Sequence, residues 1–109
     1  MSLSFSSNTL LTNQSMAASF TSDAIPLIVK DGYSVHAVYV GSPVGNLILQ
    51  ASINGQDWND IEASSSNIST AGDILFNVTE ANYIYARLKY TFSSGTGTLN
   101  AYYSTREEK

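Results

Sequence analysis

The stretch from Gly41 to Ile61 reads GSPVGNLILQASINGQDWNDI and decides the fold. After a Gly-Ser-Pro turn, apolar residues recur at every second position, the spacing that places side chains on one face of a β-strand. An Asn54-Gly55 pair follows, and Trp58 begins a returning strand. Asn-Gly between two apolar alternations predicts a hairpin with a type I′ turn, because both residues tolerate a positive φ. The alternating set on the first strand is Leu47, Leu49, Ala51 and Ile53.

Further strand-like segments flank this hairpin at intervals of roughly ten residues, with turn signals between them. No window shows a helical period of useful length. This spacing predicts an all-β chain, an antiparallel β-sandwich or jelly roll of about eight strands in a single domain. We expect residues 1–15 to form an N-terminal arm with at most one short strand. Residues 16–105 are expected to form the β-sandwich domain, and residues 106–109 a disordered tail.

The segment from Tyr33 to Val40 carries apolar residues on both of its faces. Tyr33, Val35, Ala37 and Tyr39 share one face, and His36, Val38 and Val40 share the other. A strand with two apolar faces is expected to be covered on both sides. We therefore expect either a second sheet together with the N-terminal arm, or a second subunit, to cover it.

Composition narrows the classes of partner. Only 13% of the 109 residues are charged, and the net charge is −4 with no run of Lys or Arg. We expect no nucleic-acid partner, because phosphate binding requires clustered cations. A low-charge, hydroxyl-rich surface either relies on uncharged polar groups for solubility or is covered by neighbouring subunits.

The ends and the apolar runs of the chain indicate where the protein is made. The first residues, MSLSFSS, lack the basic region and apolar core of a secretory signal, so we expect synthesis in the cytoplasm without a signal peptide. No apolar run approaches the ~20 residues that span a bilayer, so we expect no membrane partner.

Groups that could support catalysis are few. The chain has no cysteine and one histidine, His36, so neither a thiolate site nor a multi-histidine metal site is expected. Asp57, Asp60 and Glu62 offer oxygen ligands, but they lack the spacing of a calcium loop. We therefore predict no catalytic residue, no cofactor and no metal ion, and we predict that the protein is not an enzyme.

Aromatic residues are the best candidates for contact with a partner. Trp58, the only tryptophan, either stacks on a sugar or closes one end of the sandwich as part of the core. The tyrosines either line an interface, where Tyr is favoured, or form ordinary cross-strand pairs. The candidate ligand or interface residues are Trp58, Asn59, Tyr83, Tyr85, Tyr102 and Tyr103.

Three segments resemble a family of small bacteriophage-encoded virion structural proteins. The Gly41–Ile61 stretch is similar to their G-S-P-x-G-x-L-x-L-x-x-S-x-D-G-x-x-W pattern, and YIYARLKYT at residues 83–91 resembles their Y-R-Y-V-R-L-x-Y-T strand. The following residues 94–100, SGTGTLN, resemble the next hairpin of that family. The hairpin with its tryptophan also resembles the discoidin, or galactose-binding-like, jelly roll.

The resemblance implies a non-enzymatic virion component, a capsid decoration or tail-associated protein that works through protein–protein assembly. Its expected partners are other virion proteins and further copies of the chain in a homo-oligomer, and its expected location is the virion. Here Ile53-Asn54 stands where Asn-Asp is usual, and the lipid-binding spikes of secreted discoidin domains are absent. The alternative is a carbohydrate-binding module for host-surface recognition, with a glycan bound near Trp58 and Asn59.

Overall fold

The computed structural model describes residues 3–27, 32–79 and 83–108, and these residues form nine β-strands. The prediction of an all-β antiparallel sandwich is confirmed. The strands are β1 (Leu3–Ser15), β2 (Phe20–Thr21), β3 (Ile25–Pro26), β4 (Gly32–Gly41), β5 (Val44–Ser52), β6 (Asn59–Ile68), β7 (Gly72–Thr79), β8 (Tyr85–Ser94) and β9 (Gly97–Glu108).

The strands form two sheets that pack face to face. The first sheet has the order β1-β9-β4-β7, and the second has the order β2-β8-β5-β6, with β3 also paired to β8. When β2 and β3 are counted as one interrupted strand, this order is that of an eight-stranded jelly roll. Every strand pair is antiparallel.

The core lies between the sheets and is built from the alternating sets of β4, β5 and β8. Tyr33, Val35, Ala37 and Tyr39 point inward from β4, as the sequence predicts. They meet Leu47 and Leu49 from β5 and Ala86, Leu88 and Tyr90 from β8, all buried. Burying each such large side chain contributes roughly 1.5–3 kcal/mol, so this double layer is the main stabilising element.

The opposite face of β4 differs from the prediction. His36 and Val38 are half-buried, and Val40 is 56% exposed. β1 lies at the edge of the first sheet, beside β9, so it does not cover this face. The expectation that the chain's own arm helps to cover both sides of the strand is therefore wrong, and a second subunit remains as the predicted cover.

The two ends of the chain are also more regular than predicted. Residues 1–15 were expected to contain at most one short strand, but β1 spans 13 residues and pairs with β9 from Leu3↔Glu108 to Ser15↔Thr98. Residues 106–108 of the expected disordered tail belong to β9, and Lys109 lies outside the described residues. The Ser- and Thr-rich sequence of β1 offers little apolar alternation from which a strand could be predicted. The strand is defined by its backbone hydrogen bonds to a distant segment of the chain.

The hairpin between β5 and β6 is confirmed, but its predicted type I′ turn is wrong. Six residues, 53–58, join the two strands. Among the described non-glycine residues only Asn13 has a positive φ, so Asn54 lacks the conformation that this turn requires. Instead, the Asn54 side-chain oxygen accepts hydrogen bonds from the backbone N–H groups of Gln56 and Asp57, both at 2.9 Å. Gly55 alone adopts the left-handed conformation there, with φ of 77°.

Candidate functional site

The structure separates the six candidate residues into distinct places. Asn59 and Tyr83 line one surface pocket beside the 53–58 loop, and Tyr85 lies against Gly55 of that loop. Tyr102 lies on the outer face of the first sheet, whereas Tyr103 is partly buried against the core. The candidates therefore do not form a single tyrosine-rich face.

The pocket beside the loop has a volume of about 470 Å³ and a mixed lining. The loop wall is held by Ser52 and Asn54: the Gly55 N–H donates to Ser52 Oγ at 2.8 Å, and Asn54 Nδ2 donates to Asp57 Oδ2 at 2.8 Å. The residues that line the pocket are Ala51, Ser52, Ile53, Asn54, Asp57, Asn59 and Tyr83. Amide, carboxylate and aromatic groups therefore surround one concave surface.

A buried partner holds Tyr83 in place. Its hydroxyl oxygen lies 2.8 Å from that of Tyr33, and their rings meet edge to face with centroids 6.2 Å apart. Burial raises the pKa of both hydroxyls above the ordinary tyrosine value. Both groups are therefore neutral at ordinary pH, where they serve as hydrogen-bonding groups and not as bases.

Trp58 lies outside the core cluster, so its interpretation as a core plug is wrong. The guanidinium carbon of Arg87 lies 4.2 Å from the centroid of its ring, within the range of a cation–π contact. Arg87 Nε donates to Gln50 Oε1 at 2.8 Å, and Gln50 Nε2 donates to Asp60 Oδ1 at 2.8 Å. Trp58 and these polar groups thus form one network on the outer side of the second sheet, in which Gln50 is buried.

The outer face of the first sheet carries an apolar surface, and Leu75 is the part of it that had not been predicted from the sequence. Leu75 is 62% exposed, Val40 is 56% exposed and Tyr102 is 43% exposed. His36 is the direct cross-strand neighbour of both Leu75 on β7 and Tyr102 on β9. We call the set His36, Val38, Val40, Leu75 and Tyr102 the outer patch. The sequence did contain a signal for this surface. Leu75 alternates with the inward-facing residues of β7, so it is expected to point outward.

The only ion pair in the described part of the outer face of this sheet joins His36 Nε2 to Asp73 Oδ2 at 3.0 Å, and both side chains are partly exposed. Asp57 and Asp60, the carboxylates considered for calcium, bind different partners, Asn54 and Gln50. Within residues 3–27, 32–79 and 83–108, no group of three or more His, Cys, Asp or Glu residues could hold a metal ion. The described residues also include no helix of the length and apolarity that crossing a membrane requires.

Comparisons with known proteins place the fold and leave the family open. No protein-family model and no curated protein sequence matches the chain. Among solved structures, the SPBc2 prophage-derived protein YomS is similar with a TM-score of 0.63 and 10% identity, over 95% of this chain and 96% of YomS. The PBSX exported protein XepA is similar with a TM-score of 0.70 and 14% identity, over 95% of this chain. The chain spans 38% of the length of XepA.

A plant virus protein has the same architecture. The Tobacco streak virus coat protein is similar with a TM-score of 0.57 and 7% identity, over 97% of this chain and 86% of the coat protein. Identities this low show a shared β-sandwich fold and do not by themselves transfer a function. A discoidin-like relationship is not among these similarities.

Proposed function

We propose that the protein is a non-enzymatic structural component of a bacteriophage virion that acts by protein–protein assembly. The observation that carries this proposal is the outer patch, a largely uncharged surface that the described residues leave exposed. The fold shared with prophage-derived proteins and a viral coat protein supports the same role. The sequence resemblance to small phage virion proteins points in the same direction.

The physical argument starts from the sequence of β4. Val38 and Val40 are apolar at outward positions, yet none of the nine described strands lies over them. Apolar groups that adjoin on a sheet face mark an interaction surface, because covering them removes apolar area from water. Beside Val38 the outer face carries Asp73, and this carboxylate pairs with His36 at 3.0 Å, which lowers the repulsion that a neighbouring copy would meet there.

The proposal includes a homo-oligomer whose copies contact other virion proteins through the outer patch. It covers two positions, decoration of the capsid surface and attachment to the tail. Electron microscopy of particles carrying a labelled chain separates these positions, because label on the shell and label on the tail are directly distinguishable.

A reconstitution experiment tests the role. Purified protein is added to particles from which it has been removed, and the bound fraction is measured by sedimentation. We expect saturable binding, weakened at least about tenfold by Val40→Lys because a lysine within an apolar contact must be desolvated. Thr91→Lys, on the exposed outer side of the second sheet, is the matched control and should bind normally. A wild-type chain that remains in the supernatant at every concentration would count against the virion role.

The pocket supports a second candidate function, carbohydrate binding for host-surface recognition. Two residues predicted from the sequence, Asn59 and Tyr83, share this pocket with Asp57. Amide and carboxylate groups suit the paired hydroxyls of a sugar, and an aromatic ring suits its apolar C–H face. The volume of about 470 Å³ lies within the usual range for small-ligand sites.

A glycan array with a matched pair of variants tests this candidate. Asn59 and Asn67 are both exposed asparagines near opposite ends of β6, but only Asn59 lines the pocket. We expect Asn59→Ala to abolish the signal of any bound neutral glycan and Asn67→Ala to leave it unchanged. Trp58, the adjacent residue and the only tryptophan, provides a fluorescence readout of the same binding. Equal signals from both variants, or no signal from the wild type, would remove the candidate.

A further inference from the structure

The four edges of the two sheets differ in how well they are protected against pairing with another chain. The edge strands are β1 and β7 in the first sheet, and β2 with β3, and β6, in the second. An edge strand carries backbone N–H and C=O groups that have no partner within the sheet, and it can pair with a strand of another chain. Proteins limit such pairing with short strands, prolines, bulges and charged residues.

Three of these edges carry such protection. β2 and β3 contain two residues each, and β3 includes Pro26. The register of β6 against β5 jumps from Ile61 to Ser65, and Asp60 adds a carboxylate. β1 has two register shifts against β9, and Asn13 within it has a φ of 48°.

β7 is neither short nor interrupted by a proline or a register shift. All eight of its residues pair with β4 without a register shift, from Gly72↔Tyr39 to Thr79↔Gly32. Its sequence, GDILFNVT, contains no proline, no lysine and no arginine, and its only charged residue is Asp73. The strand is rich in residues with high β-propensity. It is therefore the most regular edge among the strands that the structure describes, with one carboxylate as its protection.

Symmetry defines how two β7 strands can meet. A two-fold axis perpendicular to the sheet places the outer faces of both copies on the same side of the joined sheet. Two residues that pair across the axis must therefore both point outward or both point inward. A register centred on Leu75 places Leu75 opposite its own copy and Ile74 opposite Phe76. The same register places Asp73 opposite Asn77, so it avoids opposed carboxylates and offers an amide donor to each one.

We infer that two copies of this chain pair antiparallel through β7, centred on Leu75, to form one continuous eight-stranded sheet. Leu75 is 62% exposed in the single chain, and this contact covers it. The partner at this edge is thus a second copy of the chain. In this register apolar residues meet apolar residues, and the one charged residue of each strand faces an uncharged amide. The inference rests on the proposed function in its homo-oligomeric part, and it adds the strand and the register.

A charge exchange at Leu75 tests the pairing. Leu75→Lys and Leu75→Glu each place like charges opposite each other at the axis, whereas a mixture of the two places opposite charges there. We expect each variant alone to dimerise at least about tenfold more weakly than the wild type in sedimentation equilibrium. The mixture should recover mixed dimers, which native mass spectrometry identifies by mass. Val40→Lys, on the same face but on β4, is the control and should dimerise normally.

Hydrogen exchange gives a second readout that does not depend on a variant. With rising protein concentration, amides of β7 should gain protection, while those of the β1 and β6 edges stay unchanged. Concentration-dependent protection of β1 or β6 in place of β7 would overturn the inference. So would a dimer that Val40→Lys disrupts and that the Leu75 mixture fails to restore, since this result would move the contact to the sheet face.

The two proposals fail in different ways. A chain that stays monomeric at all concentrations but binds depleted particles would overturn the β7 pairing and leave the virion role standing. A chain that dimerises through β7 but never binds particles would leave the pairing standing and count against the virion role.

Discussion

Truncating one of two leucines, one in the core and one on the surface, tests the sandwich architecture. Leu88 is fully buried opposite Leu49 in the core, whereas Leu75 is 62% exposed on the outer patch. The substitutions Leu88→Ala and Leu75→Ala delete the same atoms. The difference between their effects therefore reports burial and packing, and not the chemistry of the deleted group.

The expected magnitudes differ widely. Removing a fully buried leucine side chain costs about 3–4 kcal/mol, because the transfer free energy is lost and the cavity closes only in part. A chain of this size has a free energy of unfolding of about 5–15 kcal/mol, so Leu88→Ala removes a large share of it. Leu75→Ala should change the free energy of unfolding of the monomer by less than about 0.5 kcal/mol.

Urea unfolding followed by circular dichroism provides the assay, at protein concentrations low enough to keep the chain monomeric. With a urea m-value of about 1–3 kcal/mol/M, Leu88→Ala should lower the midpoint by roughly 1–4 M, and Leu75→Ala should leave it nearly unchanged. Equal midpoints for the two variants would refute the assignment of inner and outer faces, because deleting identical groups would then cost the same on both.

Three further predictions follow from single contacts. Burial raises the pKa of Tyr33 in the folded state above its unfolded value, so the free energy of unfolding should fall as the pH rises above about 10. Phenolate absorbance and stability measured across this alkaline range check the prediction. Tyr33→Phe should make the free energy of unfolding depend less steeply on pH. A methyl group at Gly45 would meet the Thr91 carbonyl oxygen, so Gly45→Ala should lower the free energy of unfolding by about 1–3 kcal/mol in thermal denaturation. The Trp58–Arg87 contact should give a coupling of about 0.5–1 kcal/mol in a double-mutant cycle of Trp58→Leu and Arg87→Ala, and a coupling of zero would contradict a cation–π contact.

The candidate site shows which functional residues can be predicted from local sequence patterns. Asn59 and Tyr83 were named from the sequence, and both line the pocket, although about 24 residues separate them along the chain. Trp58, the last residue of the 53–58 loop, contacts Arg87 on the outer side of the second sheet, whereas Asn59, the first residue of β6, lines the pocket. Adjacency in the sequence therefore did not predict that these two side chains have different surroundings.

The outer patch shows the opposite limitation. Val40 and Leu75 were visible as apolar residues, but their position on one shared sheet face depends on strand order. The N-terminal arm was one of two predicted covers for β4, but β1 lies beside β9 in the same sheet. Only the arrangement of the strands shows that this face is left open.

What the sequence by itself determined is the set of strands in the middle of the chain and their inward faces, because side chains alternate with a period of two. The tertiary structure alone decided the strand order, the long β1–β9 pairing and the six-residue loop at Asn54. These features depend on backbone hydrogen bonds between distant segments, and on a side-chain amide that replaces the expected turn. A period of two specifies two faces of a strand, but what covers each face is settled only when the whole chain packs.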